Sequence, residues 1–328
     1  MPHRRALLQA AVALSIAPSI APLARAQGRA FPERPVRLIV PNPPAGPSDM
    51  LARYLSDTMS ASLGQPLVIE NRPGAAGLIG TAFVANAPAD GYTLLVTTRS
   101  NHVIAPLVQQ STQVQPQRDL VSVGLAIRAV GMFATHAKAP FKTLPDMLAY
   151  GKSHPGKLFY GSAGVGATNH IAIEQFRKIS GLDITHVPYK GSGSLVTALM
   201  AGEIDLALLD FSSAQPGIKA GSIVPMVQTS SRRLSSLAQV PTFTELGHRD
   251  YDPSFWVGLS APRGTPQQAI ARLNAALDQA LGQSQMKARA QVNGWELVGG
   301  PPKALDDVIA SDLAQLPALL RTLDLKPN

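Results

Sequence analysis

The chain alternates short β-branched apolar runs with amphipathic helical stretches, and it does so twice. "VRLIV" (36–40) leads into residues 47–63, where Met50, Leu51, Tyr54, Leu55, Met59 and Leu63 recur at helical spacing. "LVIEN" (67–71) precedes the glycine-rich "RPGAAGLIGTAFVANA", a loop opening a helix that Pro88 and Asp90-Gly91 close, and "YTLLVTT" (92–98) reads as the next strand. The pattern restarts with the helix "TLPDMLAYGKSHPG", the strand "LFYGS", a helix over 168–180, the strand "ITHVPY" and the buried strand "IDLALLD", which ends on Asp210. "SFWVGLSAPRG" (254–264) then returns the chain toward its first half, where Ile270, Leu273, Leu277 and Leu281 mark one helix and residues 302–321 another. Such alternation predicts an α/β fold, with parallel sheets covered by helices on both faces. Lobe 1 is expected from residues 31–125 plus 253–328 and lobe 2 from residues 126–252, with crossings near 122–132 and 250–260. The cleft would lie between the carboxyl ends of the two sheets, where α/β folds bind ligands.

Residues 1–26 stand apart. His3, Arg4 and Arg5 precede an Ala/Leu/Val/Ile stretch and the small-residue site Ala24-Arg25-Ala26, which reads as a secretory signal peptide. "RRALLQ" leaves a twin-arginine route open beside the general one; a membrane anchor is disfavoured because Pro18 and Pro22 interrupt a run short for a span. Without this segment the formal charge falls by three from +8, a mild excess that suits anionic small ligands. No Lys/Arg run interleaved with aromatics points to nucleic acid. With no cysteine in an exported chain, disulfides and thiolate chemistry are excluded, and the core alone holds the fold.

Three loops could carry binding. In "VPNPPAGPSDM", Pro44, Ala45 and Gly46 lead to Pro47 at a first helical position, with Ser48 following and Asp49 placed to reach back to free amides. Amides at a helix start attract anions. Neither G-x-x-x-x-G-K-[ST] nor G-x-G-x-x-G is present, so a nucleotide is disfavoured and a carboxylate remains; a turn and cap without ligand is the plainer alternative. "YGSAGVGATNH" repeats the design with Ser162, Gly164, Gly166 and Thr168. "VPYKGSGS" is the third; its Lys190 could pair with an acid, with a solvated or structural lysine as the favoured alternative. Thr98, Arg99 and Ser100 at one strand end, and Asp210 with Phe211 at another, are expected at the same cleft. Arg99 suits a second carboxylate through its planar guanidinium, with surface exposure as the alternative.

Enzyme signals are few. The seven histidines show no metal-ligand spacing, and no G-x-S-x-G elbow occurs.

The blocks "FPERPVRLIVPNPPAGPSDMLARYL", "VIENRPGAAGLIGTAFVANAPADGYTLL", "GSAGVGATNHIAIEQF" and "HVPYKGSGSLVTALMAGEIDLALLD", in this order across residues 31–325, resemble the Bug family, periplasmic substrate-binding proteins of tripartite tricarboxylate transporters. The resemblance implies a two-lobed periplasmic-binding-protein-like fold with two doubly wound sheets. It implies a non-enzymatic, cofactor-free and metal-free receptor in the periplasm, which traps a small organic acid by lobe closure. The 43–49 and 161–168 loops would grip a carboxylate, with Ser162 and Thr168 supplying hydroxyls, and the ends at 97–101 and 210–212 would border the rest of the ligand. A monomer serving a membrane permease is expected. A sensor kinase ectodomain is the alternative partner, and a periplasmic enzyme on the same scaffold the less favoured function. Ala45, Pro47, Asn42 and Arg99 depart from the family's usual residues, which places the first-lobe contacts in question.

Overall fold

The computed structural model describes residues 31–44, 46–109, 114–249, 251, 253 and 255–323. The expected signal peptide and Ala45 lie outside them.

The first half runs β1 (Val36–Val40), α1 (Pro47–Leu63), β2 (Leu67–Asn71), α2 (Leu78–Ala85), β3 (Thr93–Thr98), the short α3 (Ala105–Val108) and α4 (Pro116–Asp119), then β4 (Leu120–Ala129). A second block follows with β5 (Gly131–His136), α5 (Leu144–Ser153), β6 (Leu158–Ser162), α6 (Thr168–Ser180), β7 (Ile184–Pro188), α7 (Ser192–Ala201), β8 (Leu206–Asp210), α8 (Phe211–Lys219) and β9 (Ile223–Gln228). The chain closes with β10 (Phe255–Pro262), α9 (Gln267–Gly282), α10 (Ser284–Asn293), β11 (Trp295–Leu297) and α11 (Lys303–Leu320).

Two sheets result, ordered β11-β4-β10-β3-β1-β2 and β7-β6-β8-β5-β9. Each has the expected parallel core: β2, β1 and β3 in the first, with Val36 opposite Leu67 and Arg37 opposite Thr93, and β7, β6 and β8 in the second, with Leu158 opposite Ile184. Both are nonetheless mixed, because β10 runs antiparallel to β3 and β4, and β5 antiparallel to β8 and β9. The cause is the crossing itself. β5 and β10 are the strands that bring the chain in from the other sheet, so they start at the cleft and must run against the parallel strands that end there. Only Val130 separates β4 from β5. The 122–132 stretch that reads as a crossing is therefore mostly paired strand, its alternation hidden because β4 and β5 are buried on both faces.

Packing follows the apolar periodicity. Leu51, Leu55, Met59 and Leu63 are buried along α1, as are Ile270, Leu273, Leu277 and Leu281 along α9. Behind the second sheet an aromatic cluster of Phe133, Phe176, Phe243 and Tyr251 packs edge to face, with Phe133 5.0 Å from both Phe176 and Phe243. Each such buried ring or aliphatic side chain contributes about 1.5–3 kcal/mol.

Candidate ligand-binding site

Three helices begin around one cavity. Their starts are Gly46, Pro47 and Ser48 for α1, Ala167, Thr168 and Asn169 for α6, and Ser192 and Gly193 for α7. The first follows a strand of one sheet and the other two follow strands of the second, so the cavity lies between the sheets, at the carboxyl ends of their parallel strands. The cap residues Gly46, Ala167 and Gly191 carry no side chain able to bond the first-turn amides. Those amides thus have no capping acceptor from their own cap residue, and the positive ends of three helix dipoles point toward one space.

That space is a partly open pocket. It holds about 110 Å³ and adjoins a larger cavity of about 730 Å³, the two sharing Asn42, Pro43, Ala76 and Ala163 as walls. The sheets are drawn together over it: Gln109 Nε2 donates across to Val165 O at 3.3 Å, and Ser100 Oγ lies between Ala76 O at 3.2 Å and Gly166 O at 3.4 Å. Gly191, at φ +98°, sits so close to Pro43 that an added Cβ would lie 2.9 Å from its Cγ.

Of the residues expected at the site, Pro44, Gly46, Ser48, Thr98, Arg99, Ser100, Thr168 and Asp210 line the cavity. Ser162, Asp49, Gly166 and Phe211 do not, and Gly164 lines the adjoining one. Asp49, Ser162 and Phe211 hold the surrounding structure. Asp49 is 2% exposed and accepts from Arg53 Nε at 2.8 Å and Asn71 Nδ2 at 2.9 Å, which ties the start of α1 to the end of β2. Ser162 is fully buried; its Oγ donates to Gly164 O at 3.2 Å and accepts Gly164 N–H at 3.2 Å, with His186 Nε2 2.7 Å away. Ser162 Oγ thus links the His186 ring to the Gly164 backbone, with the direction of the imidazole bond set by the tautomer. Phe211 is core, packed with Leu237 and Leu209. Asn169 lines the cavity and also braces the loop by accepting from Ala163 N–H at 3.1 Å and donating to Leu208 O at 3.3 Å.

The charges are few. Arg99 Nη2 is bonded to Asp312 Oδ1 of α11 at 2.8 Å, so the guanidinium expected to read a second carboxylate already holds a protein carboxylate. Asp210 accepts from Ser213 N–H at 2.9 Å and from Ser212 Oγ at 2.5 Å; burial raises its pKa, while these bonds pull the other way. Lys190 faces the adjoining cavity. Among the described residues no group of three or more His, Asp or Glu is placed to hold a metal ion.

One wall has no counterpart among the expected residues: Ala129, Phe255, Trp256 and Val257, from the ends of β4 and β10. "SFWVG" reads in sequence as connecting chain. The paired aromatics at a strand start beside a crossing were the available signal.

The chain is similar to known proteins over most of its length. Residues 51–325 match the model of the tripartite tricarboxylate transporter family receptor. Protein BugT of Bordetella pertussis is 33% identical over 273 residues, covering 83% of this chain and 82% of that protein. Among solved structures, Rpa4515 of R. palustris with adipate superposes with a TM-score of 0.87 at 32% identity, covering 91% of this chain and all 100% of that one. MatC from Rhodopseudomonas palustris with bound malate gives 0.84 at 30% identity, covering 88% and 100%.

Proposed function

We propose, from the premise that this chain belongs to the tripartite tricarboxylate transporter receptor family, that its intersheet cavity binds the carboxylate of a small organic acid at the starts of α1, α6 and α7. The chain is a periplasmic solute-binding receptor and not an enzyme. The observation that carries the carboxylate assignment is the convergence of three helix starts without capping side chains on one partly open pocket. Relatives that hold adipate and malate support the same chemistry.

Two lobes act as jaws, divided where the chain passes between the sheets after β4 and before β10. Ligand contacts both, so it stabilises the closed arrangement by its differential affinity for it. The closed receptor, a monomer, presents the acid to a membrane permease. Calorimetry against a panel of carboxylates tests this. Heat of binding at one-to-one stoichiometry is the expected outcome; silence for every carboxylate, with tight binding of a phosphate ester, would overturn it.

A further inference from the structure

We propose that Asp312, which lies on α11 outside the cavity, selects the charge of the ligand: by holding Arg99 in an ion pair it leaves the helix starts as the one carboxylate position, and so favours monocarboxylates with an uncharged tail over dicarboxylates. This rests on the carboxylate reading above and narrows it.

Asp312 uses both oxygens on the cavity wall. Oδ1 bonds Arg99 Nη2 at 2.8 Å and Oδ2 accepts Trp256 Nε1–H at 2.8 Å, and both Arg99 and Trp256 line the cavity. The side chains of the pair are 11% and 12% exposed, so solvent and salt screen it little. Arg99 stands between the cavity and a second hollow walled by α11, which lets a residue of the outer helix reach it. Among the described residues lining the cavity, the only other ionisable side chain is Asp210, an acid. A dicarboxylate would thus bring its second charge to a space whose single cation is already matched and whose other ionisable group is acidic. Next to Arg99 the wall is apolar, Phe255, Trp256 and Val257, which fits a hydrocarbon or aromatic tail. Lys190 lies in the adjoining cavity, beyond Ala76 and Ala163.

The test is calorimetry of the wild-type protein, Asp312→Asn, Asp312→Glu and the double variant Asp312→Asn/Arg99→Gln, with benzoate and hexanoate against malate and adipate. Asparagine keeps an acceptor for Trp256 while removing the charge. Wild type is expected to favour a monocarboxylate at least tenfold. Asp312→Asn should shift that ratio toward dicarboxylates by at least tenfold, about 1.4 kcal/mol. Asp312→Glu should restore it, and the double variant should lose the gain. A wild-type preference for dicarboxylates, or equal losses for both classes in Asp312→Asn, overturns the proposal. Should Asp312→Asn melt before it can be assayed, Arg99→Gln alone decides: an equal effect on both classes supports the pairing, and selective loss of dicarboxylate binding overturns it. Absence of heat for every acid in wild type is distinct from these results, since it removes the carboxylate reading itself and this proposal with it.

Discussion

The imidazoles of His170 and His186 stack with ring centroids 4.1 Å apart behind the loop that brings Ala163, Ala167 and Thr168 to the cavity. His186 Nε2 lies 2.7 Å from Ser162 Oγ, and His170 Nδ1 accepts Gly166 N–H at 3.3 Å, so each ring holds one end of the loop. The stack continues to Tyr160, whose hydroxyl donates to Glu174 at 2.5 Å, and Glu174 in turn pairs with Arg177 at 2.7 Å. One face of the cavity is thus built on two histidines that burial keeps uncharged at neutral pH.

Stability should fall as the medium is acidified below pH 6.5. Burial lowers the pKa of His170 to about 3 and of His186 to about 4, and that of His102 in the first lobe to about 4. Between about pH 6.5 and pH 4 the unfolded chain takes up protons that these folded rings refuse. The stabilisation is therefore complete above 6.5 and is lost as pH falls toward the folded values, at up to about 1.4 kcal/mol per pH unit for each ring. Urea unfolding at pH 7.5, 6 and 5 checks this, and a pH-independent midpoint would count against it.

Ser162→Ala should weaken ligand binding although Ser162 does not touch the cavity. The change removes the partner of His186 Nε2 and the acceptor of the Gly164 amide, and loosens the loop. A stability cost of about 1–3 kcal/mol is expected for the groups left unsatisfied, along with a several-fold loss of affinity. Unaltered affinity would show that the loop keeps its shape without the hydroxyl.

Gly191→Ala should oppose closure. The residue has φ +98°, where a side chain is strained, and its new Cβ would meet Pro43 Cγ from the facing lobe at 2.9 Å. We expect at least a tenfold loss of affinity, with the melting temperature of the ligand-free protein lowered by only a few degrees. Small-angle scattering should show the variant failing to contract when ligand is added; normal contraction would refute the steric account.

Tryptophan fluorescence should report binding through one residue. The chain has two tryptophans. Trp256 lines the cavity, whereas Trp295 lies beside Tyr54 with ring centroids 5.8 Å apart. A ligand-dependent emission change is expected in wild type and in Trp295→Phe, and is expected to vanish in Trp256→Phe. Persistence of the signal in Trp256→Phe would place the ligand elsewhere.

Local regularity made most elements legible. α1 over 47–63 and α6 over 168–180 were visible as apolar stripes bounded by Gly or Pro, and the parallel strands as short β-branched runs, because these signals depend only on neighbours in the chain. The two loops "PPAGPS" and "GVGAT" could likewise be assigned to helix starts from their Gly and Pro. β4 and β5 escaped because, buried on both sides, they have no polar alternation to mark them.

The division of labour at the site was set by contacts between residues far apart in sequence. Periodicity determined the alternating strands and helices and the helix starts that lead into the cavity. Tertiary structure alone decided that Ser162 turns inward to His186, that Phe255 and Trp256 wall the cavity, and that Arg99 spends its charge on Asp312, 213 positions away. A side chain's hydrogen-bonding and charge partners are fixed by which surfaces pack together, and distant packing leaves no trace in local pattern.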